Sequence, residues 1–373
     1  MATERVTMAG QAHPGIAVSV MLPLIALLAA AAAPAPPRPA PLKANDISVI
    51  GTHNSYKKAM PAETMAKVRA VSTAIADSLD YAHRPLTEQL DAGARQLEID
   101  VNYDPTGGHY SKGSSDPALL RPGFKVLHIA GIDNSSSCML LTECLTIIRR
   151  WSDAHPRHVP ILLLFNAKDE QYASRGGIDA LPFDAAAWDA LDAEIRSVMP
   201  ARKLIVPDDV QGKYPTLRDA VLADHWPALD KARGRFLFAL DETPAKVAAY
   251  RGSRRSLEGR VFFINTDEDS PAAAYLTLND PIAEGARIAR DVKAGYLVRT
   301  RADADTREAR INDTRRREAA LASGAQYVST DYLWPDARFA GGYNVRLPGG
   351  GVARCNRVRR GTECNGAELD RGR

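Results

Sequence analysis

Between residues 45 and 330 the chain alternates short apolar runs with helix-like segments. The runs occupy 47–50, 96–101, 125–129, 159–165, 236–240, 261–265, 296–300 and 326–330, and helical patterns fill 61–78, 86–93, 140–155, 183–199, 280–294 and 305–323. Eight strands alternating with helices over roughly 290 residues predict an α/β fold of the (β/α)8 TIM-barrel type. A doubly wound open sheet is the alternative, but no GxGxxG follows the first run. A further apolar run at 204–206 reads as an extra strand or a loop, followed by a helix at 216–223.

In such a barrel the chemistry stands at the C-terminal ends of the strands, so what terminates each run matters most. The first run ends in Gly51-Thr52-His53-Asn54-Ser55-Tyr56, the second in Glu98-Ile99-Asp100, and the third in Leu127-His128. The later runs end in Asn166-Ala167-Lys168-Asp169, Asp241-Glu242, Asn265-Thr266-Asp267, Arg299-Thr300-Arg301-Ala302-Asp303 and Ser329-Thr330-Asp331-Tyr332. Polar strand ends are common, so their density alone decides little.

Glu98 and Asp100 are more informative. Residues two apart on a strand share a face, so both carboxylates point one way while Leu97, Ile99 and Val101 point the other. With the aliphatic side against helices, the carboxylates enter the barrel mouth. Two like charges there are costly unless a cation neutralises them. Ca2+, or Mg2+, held by these carboxylates and the Asn54 oxygen would do so, and so would a salt bridge to Arg299, Arg301 or Lys168. Both readings stand at this level.

His53 and His128 are the histidines placed at run ends, whereas His83, His109, His155, His158 and His225 fall in loops or at helix ends and read as structural. An imidazole can take a proton from a hydroxyl, and an imidazolium can return one to a leaving oxygen. Beside a cation and basic side chains, that pair suits phosphodiester cleavage. No GxSxG, HExxH, P-loop or EF-hand pattern offers another chemistry.

Residues 16–33 are almost continuously apolar and run into small residues and prolines, the pattern of an export signal. The expected layout is a signal peptide at 1–35, a Pro-rich linker at 36–44, the barrel at 45–365 and a flexible C-terminus at 366–373. The protein is therefore expected to be secreted or periplasmic. An uncleaved anchor is the competing reading of the apolar run. The four cysteines agree with export, and local disulfides Cys138–Cys144 and Cys355–Cys364 are the simplest pairing. Net charge is +3 with acids and bases interspersed, too mild for a nucleic-acid partner but compatible with transient approach to an anionic membrane surface. A monomer is expected.

Together these motifs resemble the phosphatidylinositol-specific phospholipase C superfamily of barrel phosphodiesterases, most closely its secreted Ca2+-dependent branch. The resemblance is carried by Gly51 to Tyr56, by Leu86 to Asp100, by Val126-Leu127-His128, and by the late segments 297–306 and 323–332. It implies that His53 activates the inositol 2-hydroxyl and that His128 protonates the departing diacylglycerol oxygen, with a 1,2-cyclic phosphate as first product. It also implies Ca2+ on Asn54, Glu98 and Asp100, and a phospholipid or glycerophosphodiester substrate. One position departs from the pattern: where the superfamily has a further carboxylate, after the run at 159–165, this chain has Asn166. Asn166 as a neutral ligand, or Asp169 in its place, is the expectation. Lys168, Arg299, Arg301, Asp331 and Tyr332 are expected to line the substrate pocket. A glycerophosphodiester phosphodiesterase would have His-Arg-Gly in place of His53-Asn54-Ser55, and a catalytically silent binding barrel would not need both histidines.

Overall fold

The computed structural model describes residue 5 and residues 7–16, 41–361 and 369. The chain divides into two compact units, 1–39 and 40–373. In the first, residues 7–16 carry no regular secondary structure. Residues 17–35 of the expected signal peptide, which hold nearly all of its apolar run, and most of the expected linker lie outside the described residues. Among the described residues no helix is long and apolar enough to cross a membrane.

The second unit is built on eight parallel strands: β1 (Ile47–Thr52), β2 (Gln96–Asn102), β3 (Ile161–Lys168), β4 (Phe236–Leu240), β5 (Phe262–Ile264), β6 (Tyr275–Thr277), β7 (Leu297–Arg301) and β8 (Tyr327–Thr330). Each pairs with the next, except that a single parallel bridge, Asn265 to Tyr275, carries β5 to β6. Pairing of β8 with β1 closes the ring. Leu204–Ile205 adds a short parallel strand beside the first half of β4, and Arg354–Cys355 pairs antiparallel with β1.

The architecture is the expected TIM barrel, with one strand exchanged. Residues 125–129 form no barrel strand; Lys125 makes only isolated bridges to Asn102 and Leu140. The missing member is β6, whose three residues are too few to show a period. Two expected helices are also interrupted. The first becomes α1 (Ala62–Val71) and α2 (Thr73–Leu79), with Ser72 capping α2 through its Oγ. The last becomes Arg307–Ile311 and Arg315–Ala322, parted at Asn312 with a φ of 52°.

Residues 161–165 of β3 and the whole of β4 read as unbroken apolar runs because both their faces are buried, as in parallel sheets generally. Gly51 answers a packing demand inside the barrel: a Cβ there would lie 2.2 Å from Oε1 of Gln96. The entry and exit of the unit are tied together. Arg359 and Arg360 both pair with the buried carboxylate of Asp46, just before β1. Arg359 and Arg360 are thus spent on internal ion pairs, and Leu369, within the segment expected to be flexible, is buried. Cys138 and Cys144 form the expected disulfide. The second expected pairing involves Cys364, outside the described residues.

Candidate active site

The end of β1 is fixed before any reacting group is placed. Thr52 Oγ1 lies 2.6 Å from both Gln89 Oε1 and Ser55 Oγ, and Ser55 Oγ accepts the Glu98 N–H at 2.8 Å. This turn sets His53 and Asn54 at the barrel mouth beside Glu98. Asn54 has a φ of 47°, a left-handed conformation that asparagine tolerates better than most residues, and its Nδ2 donates to Tyr81 Oη at 2.8 Å.

His53 Nδ1 lies 2.7 Å from Oδ1 of Asp331. Asp331 is 3 % exposed, and its other oxygen accepts from Arg301 at 3.0 Å. Burial opposes charge on Asp331, but His53 and Arg301 outweigh it and keep its pKa below the usual carboxylate range. On His53, burial and then the Arg301 guanidinium push the pKa down to about 3, against the pull of Asp331. The ring is therefore neutral at neutral pH. Its Nδ1–H is given to Asp331, and Nε2 stands 3.7 Å from Glu98 Oε1 and 3.4 Å from an Arg301 nitrogen.

His128 has the same backing. Its Nδ1 lies 3.0 Å from Oδ2 of Asp133, a buried carboxylate that also pairs with the buried Lys57 at 2.7 Å. Burial opposes charge on Asp133, and His128 and Lys57 overcome it. Both histidines border one polar cavity of about 160 Å³, together with Asn54, Glu98, Asp100 and Asn166. Lys168, Arg299 and Arg301 border it as well.

Each acid on β2 already has a basic partner. Glu98 Oε2 lies 2.6 Å from Arg299, and Asp100 Oδ2 lies 3.0 Å from Lys168 and accepts from Tyr56 Oη at 2.9 Å. These are the salt bridges left open by the sequence. They do not saturate the acids. Asp100 Oδ1 is buried without a hydrogen-bond partner, and burial outweighs Arg299 to push the Glu98 pKa up to about 7. On Lys168 burial works against the charge, yet Asp100 and Glu170 outweigh it and keep the ammonium protonated.

Among the described residues no three His, Cys, Asp or Glu side chains stand close enough to hold a metal by themselves. A cation here would need the amide oxygens of Asn54 and Asn166 beside the two carboxylates. That all-oxygen set, with the unpartnered Asp100 oxygen in it, suits a hard ion such as Ca2+.

Asp331 sits behind His53 with both oxygens engaged and borders the outer cavity that also touches both histidines, whereas Tyr332 packs edge-on against Tyr343 and Phe339 and borders neither cavity. Asp169 is held by Lys246 at 2.7 Å and does not border the cavity. Sequence reasoning gave no role to Asp133, Asp241, Asn279 or Tyr81. Asp241 and Asn279 line the cavity, Asp241 as the first residue past β4 and Asn279 just past the unrecognised β6. Asp241 was visible as a strand-end carboxylate; Asp133 lies in a loop whose return to His128 no spacing announces.

A closed parallel barrel whose mouth holds two carboxylate-backed histidines among basic side chains is a phosphodiesterase of the phospholipase C type. The model of the family described as "Phosphoinositide phospholipase C, Ca2+-dependent" matches residues 42–357, and the chain belongs to that family. Among solved structures, a calcium-dependent phosphoinositol-specific phospholipase C from Pseudomonas sp. is 17% identical with a TM-score of 0.53, covering 84% of this chain and 95% of that one. A Ca2+-dependent phosphatidylinositol-specific phospholipase C from Streptomyces antibioticus is 21% identical with a TM-score of 0.52, covering 78% and 95%. At these identities the structures establish the shared fold. No curated protein matches the chain.

Proposed function

We propose that this chain is a secreted, monomeric, Ca2+-dependent enzyme that cleaves phosphatidylinositol through a cyclic phosphate, with transient contact at the membrane surface. The observation that carries the reading is the pair of histidines in one cavity, each with Nδ1 held by a buried carboxylate, which leaves Nε2 as the atom that can exchange a proton with substrate.

Neutral His53 takes the proton from the inositol 2-hydroxyl at Nε2, while Asp331 holds its tautomer and stabilises the imidazolium that forms. The 2-oxygen bonds to phosphorus and the bond to the diacylglycerol oxygen breaks. His128, protonated and steadied by Asp133, gives its proton to that leaving oxygen. The products are diacylglycerol and inositol 1,2-cyclic phosphate, and a water can later return the histidines to their starting states. Arg301 and Lys168 offset the negative charge of the phosphoryl oxygens, and Arg299 holds Glu98 in place. Ca2+ on Asn54, Glu98, Asp100 and Asn166 supplies, when bound, positive charge for the phosphate.

The test is hydrolysis of phosphatidylinositol and glycerophosphoinositol, followed by phosphorus NMR, with and without chelator. A cyclic phosphate signal that vanishes in His53→Ala and in His128→Ala is expected. Full activity in either variant would overturn the mechanism, and activity indifferent to chelation would overturn only the ion. The Cys138–Cys144 disulfide suits an oxidising compartment. Export is checked by finding the protein outside the cytoplasm with an N-terminus near residue 36, and the monomer by light scattering.

A further inference from the structure

We propose that the groove between the α1–α2 hairpin and the loop following His128 binds one acyl chain of the lipid, the chain carried by the diacylglycerol leaving group. The proposal rests on the phospholipase C reading above and adds a subsite to it.

The groove has a volume of about 480 Å³, within the range of small-molecule sites. Val68, Val71, Ile75 and Leu79 form one wall, and Ile129 and Ile132 belong to the other. Val71 is 85% exposed and Ile75 52%, and α1 has no buried residue. A helix that packs on a barrel normally buries an apolar stripe. Here the aliphatic side chains of α1 face the groove and solvent instead, so α1 adds almost nothing to the core.

What selects an acyl chain as occupant is continuity with the reacting centre. Ile75, Leu79, Ile129 and Tyr172 border the groove and also an outer cavity of about 380 Å³ that touches both His53 and His128. Ile129 directly follows His128, the residue assigned to protonate the leaving oxygen. The group that departs on the His128 side therefore meets the apolar wall at once, and in this substrate that group is a diacylglycerol. The wall beyond Ile129 is fixed: Ile178 N–H donates to Ala130 O at 2.8 Å, and Gly131, with a φ of +79°, has no room for a Cβ beside Ile178. On the opposite side α2 is anchored by Thr306, whose hydroxyl donates to Asp77 O at 2.8 Å.

The experiment compares kcat/KM for diacyl phosphatidylinositols of increasing chain length, all below their critical micelle concentrations, with kcat/KM for glycerophosphoinositol. The expected ratio rises by about two- to fourfold for each methylene that enters the groove, until it is filled. In Val68→Asp and in Ile132→Asp the rise should be at least about tenfold smaller for a dihexanoyl substrate. As a readout independent of turnover, calorimetric titration with dihexanoylglycerol should show binding to the wild type and none to these variants. A flat ratio with glycerophosphoinositol still cleaved overturns the groove alone. A gain seen on vesicles but not on monomeric lipid also overturns it, because a flat interfacial surface would then suffice. If the wild type cleaves neither ester, the phospholipase reading fails and the groove with it.

Discussion

His53 keeps its basic form because its neighbours pull in opposite directions. Burial and Arg301 disfavour the imidazolium, while Asp331 accepts the Nδ1–H and leaves Nε2 as the acceptor, which takes a long 3.4 Å hydrogen bond from Arg301. In Asp331→Asn the amide can donate to Nδ1 and favour the wrong tautomer. We expect kcat to fall by about 10³- to 10⁴-fold with little change in KM, measured on soluble substrate beside a circular dichroism check of the fold. Tyr332→Phe is the contrasting variant. Its hydroxyl is buried without a hydrogen-bond partner and borders no part of the cavity, so its removal should leave kcat within about twofold and stability within about 1 kcal/mol. The two residues are adjacent in sequence, and strand position suggested a pocket role for both. Adjacent side chains at a strand end point to opposite sides, so only one could face the mouth. The alternation that brought Glu98 and Asp100 together was available for Asp331 and Tyr332 too, but the boundary of β8 needed to apply it was not.

At the scale of elements, the loop carrying His128 replaces the strand that the apolar pair Val126-Leu127 suggests. Both residues are fully buried, so burial is real, yet the segment makes only isolated bridges, to Asn102, Leu140 and Asp133. A short buried run has no period that distinguishes strand from packed loop. The loop is closed by the disulfide six residues apart at Cys138 and Cys144. Replacing both cysteines with serine should cost about 2 kcal/mol by the loop-entropy estimate, read as a lower midpoint in urea. A second effect belongs to the junction before β3. His158 is 1% exposed, lies 2.7 Å from Ser152 Oγ and from Val159 O, and is held down to about 4 chiefly by burial. Its unfolded value is about 6.5, so the unfolded chain binds the extra proton between these values. Stability from this residue is full above about pH 6.5 and is lost as pH falls toward 4, by about 3 kcal/mol. Glu98 and Glu242, both raised to about 7 chiefly by burial, act with the opposite sign. The measurement is therefore the difference between wild type and His158→Gln: urea unfolding at pH 7 and pH 4.5 should show the variant losing less.

For the whole molecule, the alternation of strands and helices was enough to predict a barrel, because eight parallel strands with intervening helices admit few closed arrangements. What sequence could not show are contacts that link distant segments, such as Arg359 and Arg360 on Asp46. The proposed ion site is also a long-range object, since Asn54 follows β1, Glu98 and Asp100 lie on β2, and Asn166 lies on β3. A cation bound there would join three neighbouring strands and should stabilise the entire unit. Calcium at about 100 times its Kd should add about 2.7 kcal/mol, seen as a thermal midpoint raised by roughly 5 °C. The shift should disappear in the Glu98→Gln/Asp100→Asn double variant and persist in Asp331→Asn, whose carboxylate is committed to His53 and Arg301. Magnesium should give less, because it demands a tighter octahedral shell than amide and carboxylate groups on three strands readily provide. Lys168 adds a discriminating arm. Its ammonium and the ion compete for Asp100, so Lys168→Met should bind calcium more tightly while losing the positive charge it offers phosphate. A midpoint shift that survives the double variant would place the ion elsewhere, leaving Glu98 and Asp100 as partners of Arg299 and Lys168 alone.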